Sequence, residues 1–251
     1  MSFTNKVVLV TGAASGIGAA TASLFASKGA RVVLADVQQE KLEEQVLKLK
    51  AEKFDVSPLW LDVSSFDHVQ GGIQYVIKQK GSLDILINNA GIGNKSMVKT
   101  AEHSLEDWER VIAVNQSGVF YCMKVALQQM LDQGHGNIVN VASLAGLKAS
   151  GRNLAYSASK FAVVGMTKSA ALEYASKNIR INCVCPSYTH SALLDQVFDA
   201  DPSMHDKLLK YVPMRRYGQP EEIAEAILWL ASDKTEFITG QAITLDGGLS
   251  L

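Results

Sequence analysis

No apolar run in the chain approaches the roughly 18 residues that a membrane-spanning helix needs. The stretch near the start, Val7 to Val10, is too short for a signal-peptide core, so a cytoplasmic protein with no membrane partner is expected. Charge of neither sign dominates: 24 Lys and Arg stand against 25 Asp and Glu, for a formal net charge of −1. Without a basic field to hold a phosphate backbone, nucleic acid is excluded as a partner. Cysteine is scarce. Cys122, Cys183 and Cys185 lie in apolar surroundings and read as small buried hydrophobes. A disulfide framework or a metal site needs more cysteines at other spacings, so no metal is expected. Repeats, low-complexity tracts and linkers are missing too. Hydrophobic residues make up 47 % and charged residues 20 %, which is ordinary globular usage. With no break in composition, residues 1–251 read as one domain.

What is present is an alternation of short β-branched runs and longer amphipathic stretches. The strand candidates are Val7–Val10, Arg31–Ala35, Leu59–Leu61, Ile85–Asn88, Asn137–Val141, Ile179–Cys185 and Ala242–Leu245. Their continuous apolar character predicts a parallel sheet covered on both faces. Between them, Glu40–Lys50 sets Leu42, Val46 and Leu49 on one helical face, and Pro220–Leu230 opens with Pro, Glu221 and Glu222, a favourable helix start. Strand and helix alternating along the chain predict a doubly wound α/β sheet. Two helix candidates, Trp108–Leu131 and Ala155–Lys177, carry apolar or small residues around much of their circumference. A helix apolar on two sides must bury two sides, so a second subunit and a homo-oligomer are expected.

After the first strand comes Thr11-Gly12-Ala13-Ala14-Ser15-Gly16-Ile17-Gly18, followed by a helix. Glycines also serve plain turns, but here they lie between strand and helix. There they let the backbone approach a pyrophosphate, and the helix N-terminus then supplies N–H donors. The second strand ends at Asp36, whose carboxylate can accept both hydroxyls of an adenosine ribose and would repel a 2′-phosphate. Neither Ser15 nor Val37 is basic, so NAD is expected rather than NADP. Asp62-Val63 can reach an adenine, and Asn88-Asn89-Ala90-Gly91 offers small residues beside a cofactor. Both follow strands, where an open α/β sheet binds its ligands.

Ser143 follows the fifth strand, and Tyr156 and Lys160 lie four apart on one helical face. A neighbouring ammonium favours the phenolate of a tyrosine, and with an oxidised nicotinamide it would bring the phenol toward proton transfer near neutrality.

This ordered set resembles the short-chain dehydrogenase/reductase family over essentially the whole chain. The resemblance rests on Thr11–Gly18, Asp62-Val63, Asn88–Gly91, Asn115, Ser143, Tyr156 with Lys160, Pro186 and Asp246-Gly247-Gly248. It implies a Rossmann-type, seven-stranded parallel sheet and a homotetramer or homodimer built on the two long helices. It implies Tyr156 as general acid/base, Ser143 holding the substrate oxygen, and Lys160 binding the nicotinamide ribose and lowering the Tyr156 pKa. Asn115 would interrupt its helix and hold a water in a relay from Lys160. The cofactor would meet Gly12, Ser15, Gly16, Ile17, Gly18, Asp36, Asp62, Val63, Asn89, Ala90, Gly91, Tyr156, Lys160, Pro186 and Thr189. Ser187 stands where the family has glycine, which bears on the conformation of that loop.

Residues 187–212 correspond to the family's substrate lid. They hold Leu193, Leu194, Val197, Phe198, Met204, Leu208 and Leu209, at a spacing that suits one or two amphipathic helices. Asn153 and His190 join Ser143 and Tyr156 as candidate substrate contacts, and no arginine cluster calls for a phosphorylated or carboxylate substrate. The expected activity is NAD-dependent oxidation of a small or medium apolar secondary alcohol, or reduction of its ketone. Within the family, a 3-oxoacyl thioester reductase using NADPH and a hydroxysteroid or polyol dehydrogenase are the alternatives. A non-catalytic NAD-binding protein would commonly lose the tyrosine or the lysine, and both are here.

Overall fold

The structure is a computed structural model. It describes the backbone of residues 1–251 and the side chains of all but Ala192, Leu193, Gln196 and Ala200. Seven parallel strands form one sheet: β1 (Val7–Thr11), β2 (Arg31–Asp36), β3 (Val56–Trp60), β4 (Ile85–Asn88), β5 (Gly136–Val141), β6 (Ile179–Pro186) and β7 (Ala242–Leu245). Their order across the sheet is β3-β2-β1-β4-β5-β6-β7. Successive side chains point to opposite faces, so each central strand feeds two cores. Val7 and Leu9 pack with α3 (Phe66–Lys80), α5 (Gly118–Gln133) and α6 (Leu154–Tyr174). Val8 and Val10 pack with α1 (Gly16–Ser27), α2 (Gln39–Ala51) and α9 (Pro220–Ala231). The strand order reverses between β1 and β4, which opens a crevice at their carboxyl ends.

Three elements differ from the sequence reading by more than one residue at an end. The third strand is Val56–Trp60, not Leu59–Leu61. It lies at the sheet edge, alternates in burial and contains Pro58, which an edge tolerates, so a search for a continuous apolar run missed most of it. The helix expected over Trp108–Leu131 starts earlier and is broken. α4 (Leu105–Ile112) passes through a π-helical turn, Ala113–Ser117, into α5. The helix expected over Ala155–Lys177 is α6, and its last residues tighten into a 3₁₀ turn, Ala175–Lys177. α7 (Ala192–Ala200) and α8 (Met204–Tyr211) form the lid segment.

Candidate active site

The glycine loop is welded to the neighbouring strand end. Thr11 Oγ1 accepts from the backbone N–H groups of Asn89 (3.0 Å) and Ala90 (3.1 Å). In return, Asn89 Nδ2 donates to the carbonyls of Thr11 and Gly12, both at 3.0 Å. The loop closes only on glycine. Gly12 has a φ of +65°, and a Cβ there would stand 2.8 Å from Ala90 Cα. At Gly18 a Cβ would meet the Gly12 carbonyl at 2.1 Å. α1 then begins with Ser15 as an N-cap that makes no side-chain cap hydrogen bond, and no acidic residue stands in its first turn. Its N–H donors and positive dipole end are therefore available to a phosphate.

Asp36 is buried at the end of β2. Its two oxygens accept from Ala14 N (3.0 Å) and Gln38 N (2.9 Å), which leaves lone pairs for hydroxyl donors. Ser15 and Val37 beside it are exposed. Asp62 Oδ1 is engaged in its own turn, accepting from the Ser64 N–H (2.9 Å) and hydroxyl (2.7 Å). Val63 is buried against Gly118, where a Cβ would meet its side chain at 2.9 Å. These cradles fit an extended dinucleotide along the crevice.

At the chemical end, Ser143 leads β5 into a 3₁₀ turn, Leu144–Gly146. That turn lies on α6 so closely that a Cβ at Gly146 would stand 2.6 Å from the Lys160 carbonyl. The contact sets the Ser143 hydroxyl near the Tyr156 phenol, whose pKa it lowers, while Ser143 Oγ accepts from Ala145 N at 3.1 Å. Lys160 is 4 % exposed; its Nζ donates to Val141 O at 2.9 Å and lies 5.6 Å from the centre of the Tyr156 ring. Gly91 passes overhead, where a Cβ would be 3.3 Å from Lys160 Nζ.

Burial pushes the Lys160 ammonium down from 10.5 to about 8. Burial also raises the Tyr156 phenol above its ordinary value, only partly offset by the Ser143 hydroxyl. The Lys160 ammonium is turned to the Val141 carbonyl, and burial is the largest influence on both groups.

Asn115 sits in the π-helical turn, fully buried. Its Oδ1 accepts from Ile92 N (2.8 Å), and its Nδ2 donates to Ile92 O (2.9 Å) and Ser159 Oγ (3.2 Å). Ser159 donates in turn to the Tyr156 carbonyl at 2.7 Å. Both amide hydrogens are taken by protein, while Oδ1 keeps a second lone pair for a further donor.

The remaining candidates scatter more. Thr189 is buried and donates to Ser187 O at 3.3 Å, and Pro186 closes β6. Ser187 donates its N–H to Leu245 O (3.0 Å) with φ outside the left-handed region, so the loop does not require glycine there. His190 is exposed and packs edge-on against Tyr217, 5.5 Å between ring centres. Asn153 is partly buried at the N-cap of α6. The lid buries Leu194 and Leu208 with Tyr217, and Val197, Phe198, Met204 and Leu209 pack against them. The Leu193 side chain lies outside the described residues.

The sequence reading did not single out the welding role of Thr11, nor Ser159 and Gly146. Thr11 opens the glycine motif, and the other two carry no local signal.

The family described as enoyl-(acyl carrier protein) reductase matches residues 12–250. The chain is 39 % identical over 249 residues to a 3-oxoacyl-[acyl-carrier-protein] reductase of Thermotoga maritima, covering 99 % of each. It is 39 % identical over 245 residues to a cyclohexanol dehydrogenase of Acinetobacter sp., covering 98 % of this chain and 95 % of that one. Among solved structures, an NAD⁺-bound xylitol dehydrogenase superposes with a TM-score of 0.95 at 33 % identity, covering 99 % of this chain and 100 % of the other. The chain belongs to the short-chain dehydrogenase/reductase family, whose members are oxidoreductases that bind a nicotinamide cofactor.

Proposed function

We propose that this short-chain dehydrogenase/reductase uses NAD to interconvert an apolar secondary alcohol and its ketone, with Tyr156 as the general acid/base. The observation that carries the reading is the meeting of Ser143, Tyr156 and Lys160 under Gly91, at the open end of the crevice that begins at the glycine loop.

Bound nicotinamide supplies the hydride chemistry, which no amino-acid side chain can perform. The Ser143 hydroxyl holds the substrate oxygen beside the phenol. Tyr156 takes the alcohol proton during oxidation and returns it during reduction. Because burial holds the phenol high, positive charge must gather near it to bring it into use, and Lys160 contributes part of that charge while holding ribose hydroxyls. Asn115 orders water for proton exchange. Asp36, Gly12, Ser15–Gly18, Asp62, Val63, Asn89–Gly91, Pro186 and Thr189 hold the dinucleotide, and Asn153 and His190 border the substrate.

The Asp36 carboxylate, with no cation at Ser15 or Val37, favours NAD over NADP. The apolar lid favours a small or medium apolar substrate, cyclic alcohols included, in keeping with the resemblance to a cyclohexanol dehydrogenase. The similarity to a 3-oxoacyl-[acyl-carrier-protein] reductase keeps a thioester reductase using NADPH as the second reading. We also place the protein in the cytoplasm as a homotetramer. Three buried free cysteines suit a reducing compartment, and Phe120, Leu131, Phe161 and Leu172 stay exposed on α5 and α6.

Absorbance at 340 nm tests the cofactor and the substrate together. NAD and NADP are run against cyclohexanol, xylitol, threitol and a hydroxysteroid, and NADH and NADPH against cyclohexanone and an acetoacetyl thioester. Turnover with NAD and cyclohexanol is expected. Thioester reduction with NADPH alone would select the second reading.

A further inference from the structure

The catalytic helix is capped from outside itself. The first N–H groups of a helix lack intrahelical partners, and the side chain of the N-cap residue usually takes one of them. In α6 that residue is Asn153, which makes no side-chain cap hydrogen bond. The N–H of Tyr156, third in the helix, donates instead to Asn94 Oδ1 at 3.2 Å, from the loop that follows β4.

That loop is itself clamped by α4. The buried carboxylate of Asp107 accepts from Lys95 N at 2.9 Å through Oδ2 and pairs through Oδ1 with Arg110 Nη2 at 2.7 Å. Arg110 Nη2 also donates to Gly93 O at 2.7 Å. Asn115 holds Ile92 from the other side through both its N–H and its carbonyl. The main chain is thus held at Ile92, Gly93 and Lys95, on both sides of the one side chain that reaches the backbone of Tyr156.

We propose that Asn94 is a positioning residue for the phenol, and that the Asp107–Arg110 pair exists to hold Asn94 at the first turn of α6. The exchange of caps also releases the Asn153 side chain from helix capping, so that it can face a substrate. This inference rests on the reading of Tyr156 as the acid/base.

The test compares Asn94→Ala, Asn94→Asp and Asp107→Asn, with Tyr156→Phe as control, using the alcohol that turns over fastest in the panel above. Asn94→Ala should lower kcat about tenfold, while KM for NAD and the melting temperature stay close to wild type, because small misplacements of a catalytic group cost rate first. Asn94→Asp keeps the acceptor oxygen and should recover most of kcat. Asp107→Asn loosens the loop without touching Asn94 and should lower kcat severalfold. A wild-type kcat in Asn94→Ala, or an equal loss in Asn94→Asp, overturns the assignment. Substantial activity in Tyr156→Phe would sink the acid/base reading and this inference with it. An inactive Tyr156→Phe beside a fully active Asn94→Ala would sink this inference alone.

Discussion

Replacing Lys160 by methionine should leave the cofactor-free protein inactive and more stable. The folded chain holds this ammonium with its pKa near 8 rather than 10.5, mainly because burial strips its water. A depressed value means the folded state gives up the proton more readily than the unfolded chain. The cost of burying the charge is thus fully present below about pH 8, where both states are protonated, and fades as pH climbs toward 10.5. The gap between the two values is worth roughly 3 kcal/mol at neutral pH and about 1 kcal/mol at pH 9.5. Methionine fills a similar space without the charge but leaves the Val141 carbonyl without its 2.9 Å partner, a loss of about 1 kcal/mol. The net gain is about 2 kcal/mol at pH 7, roughly 4–8 °C in melting temperature for a chain of this size, and close to nothing at pH 9.5. Urea and thermal unfolding of both proteins at the two pH values and at one protein concentration would measure it. A variant no more stable at pH 7, or one whose advantage persists at pH 9.5, would refute the idea that the site maintains a costly buried cation.

Tyr156→Phe should cut kcat by about 10²- to 10⁴-fold, while NADH affinity by fluorescence titration changes little. Wild-type alcohol oxidation should rise with pH as the phenol, held high by burial, gives up its proton, and a pH–rate profile of the variant should lack that limb. Exchanging Asp36 for Ser together with Val37→Arg should move the ratio of kcat/KM for NAD over NADP toward NADP by about a hundredfold. An unchanged ratio would show that Asp36 does not select the cofactor. Gly18→Ala places a Cβ 2.1 Å from the Gly12 carbonyl, and should cost about 2 kcal/mol or more in urea unfolding and abolish NADH binding. Phe161→Glu with Leu172→Glu charges two apolar residues that are 46 % and 86 % exposed in the single chain. Sedimentation should then fall from a multiple of 27.1 kDa toward a smaller species, whereas an unchanged mass would move the interface elsewhere.

The alternation of apolar runs and amphipathic stretches is local, and it determined the order of strands and helices, the parallel sheet and the glycine turn before α1. The four-residue step from Tyr156 to Lys160 is likewise a property of any helix, so the pair was legible without a fold. Legibility failed where a neighbour distant in sequence set the outcome. β3 is an edge strand and shows alternation rather than a continuous run. The break between α4 and α5 follows a π-helical turn in which the Asn115 amide bonds Ile92 across the site. The sequence also placed the Lys160 ammonium one helical turn from the Tyr156 phenol. Only the folded site shows that ammonium turned to Val141 O and both groups dominated by desolvation. Local spacing can announce which chemical groups a chain carries. Their solvation, their caps and their partners depend on segments that meet only after folding, which is why Asn94, 62 residues before the Tyr156 whose N–H it takes, gave no sign of that contact in the sequence.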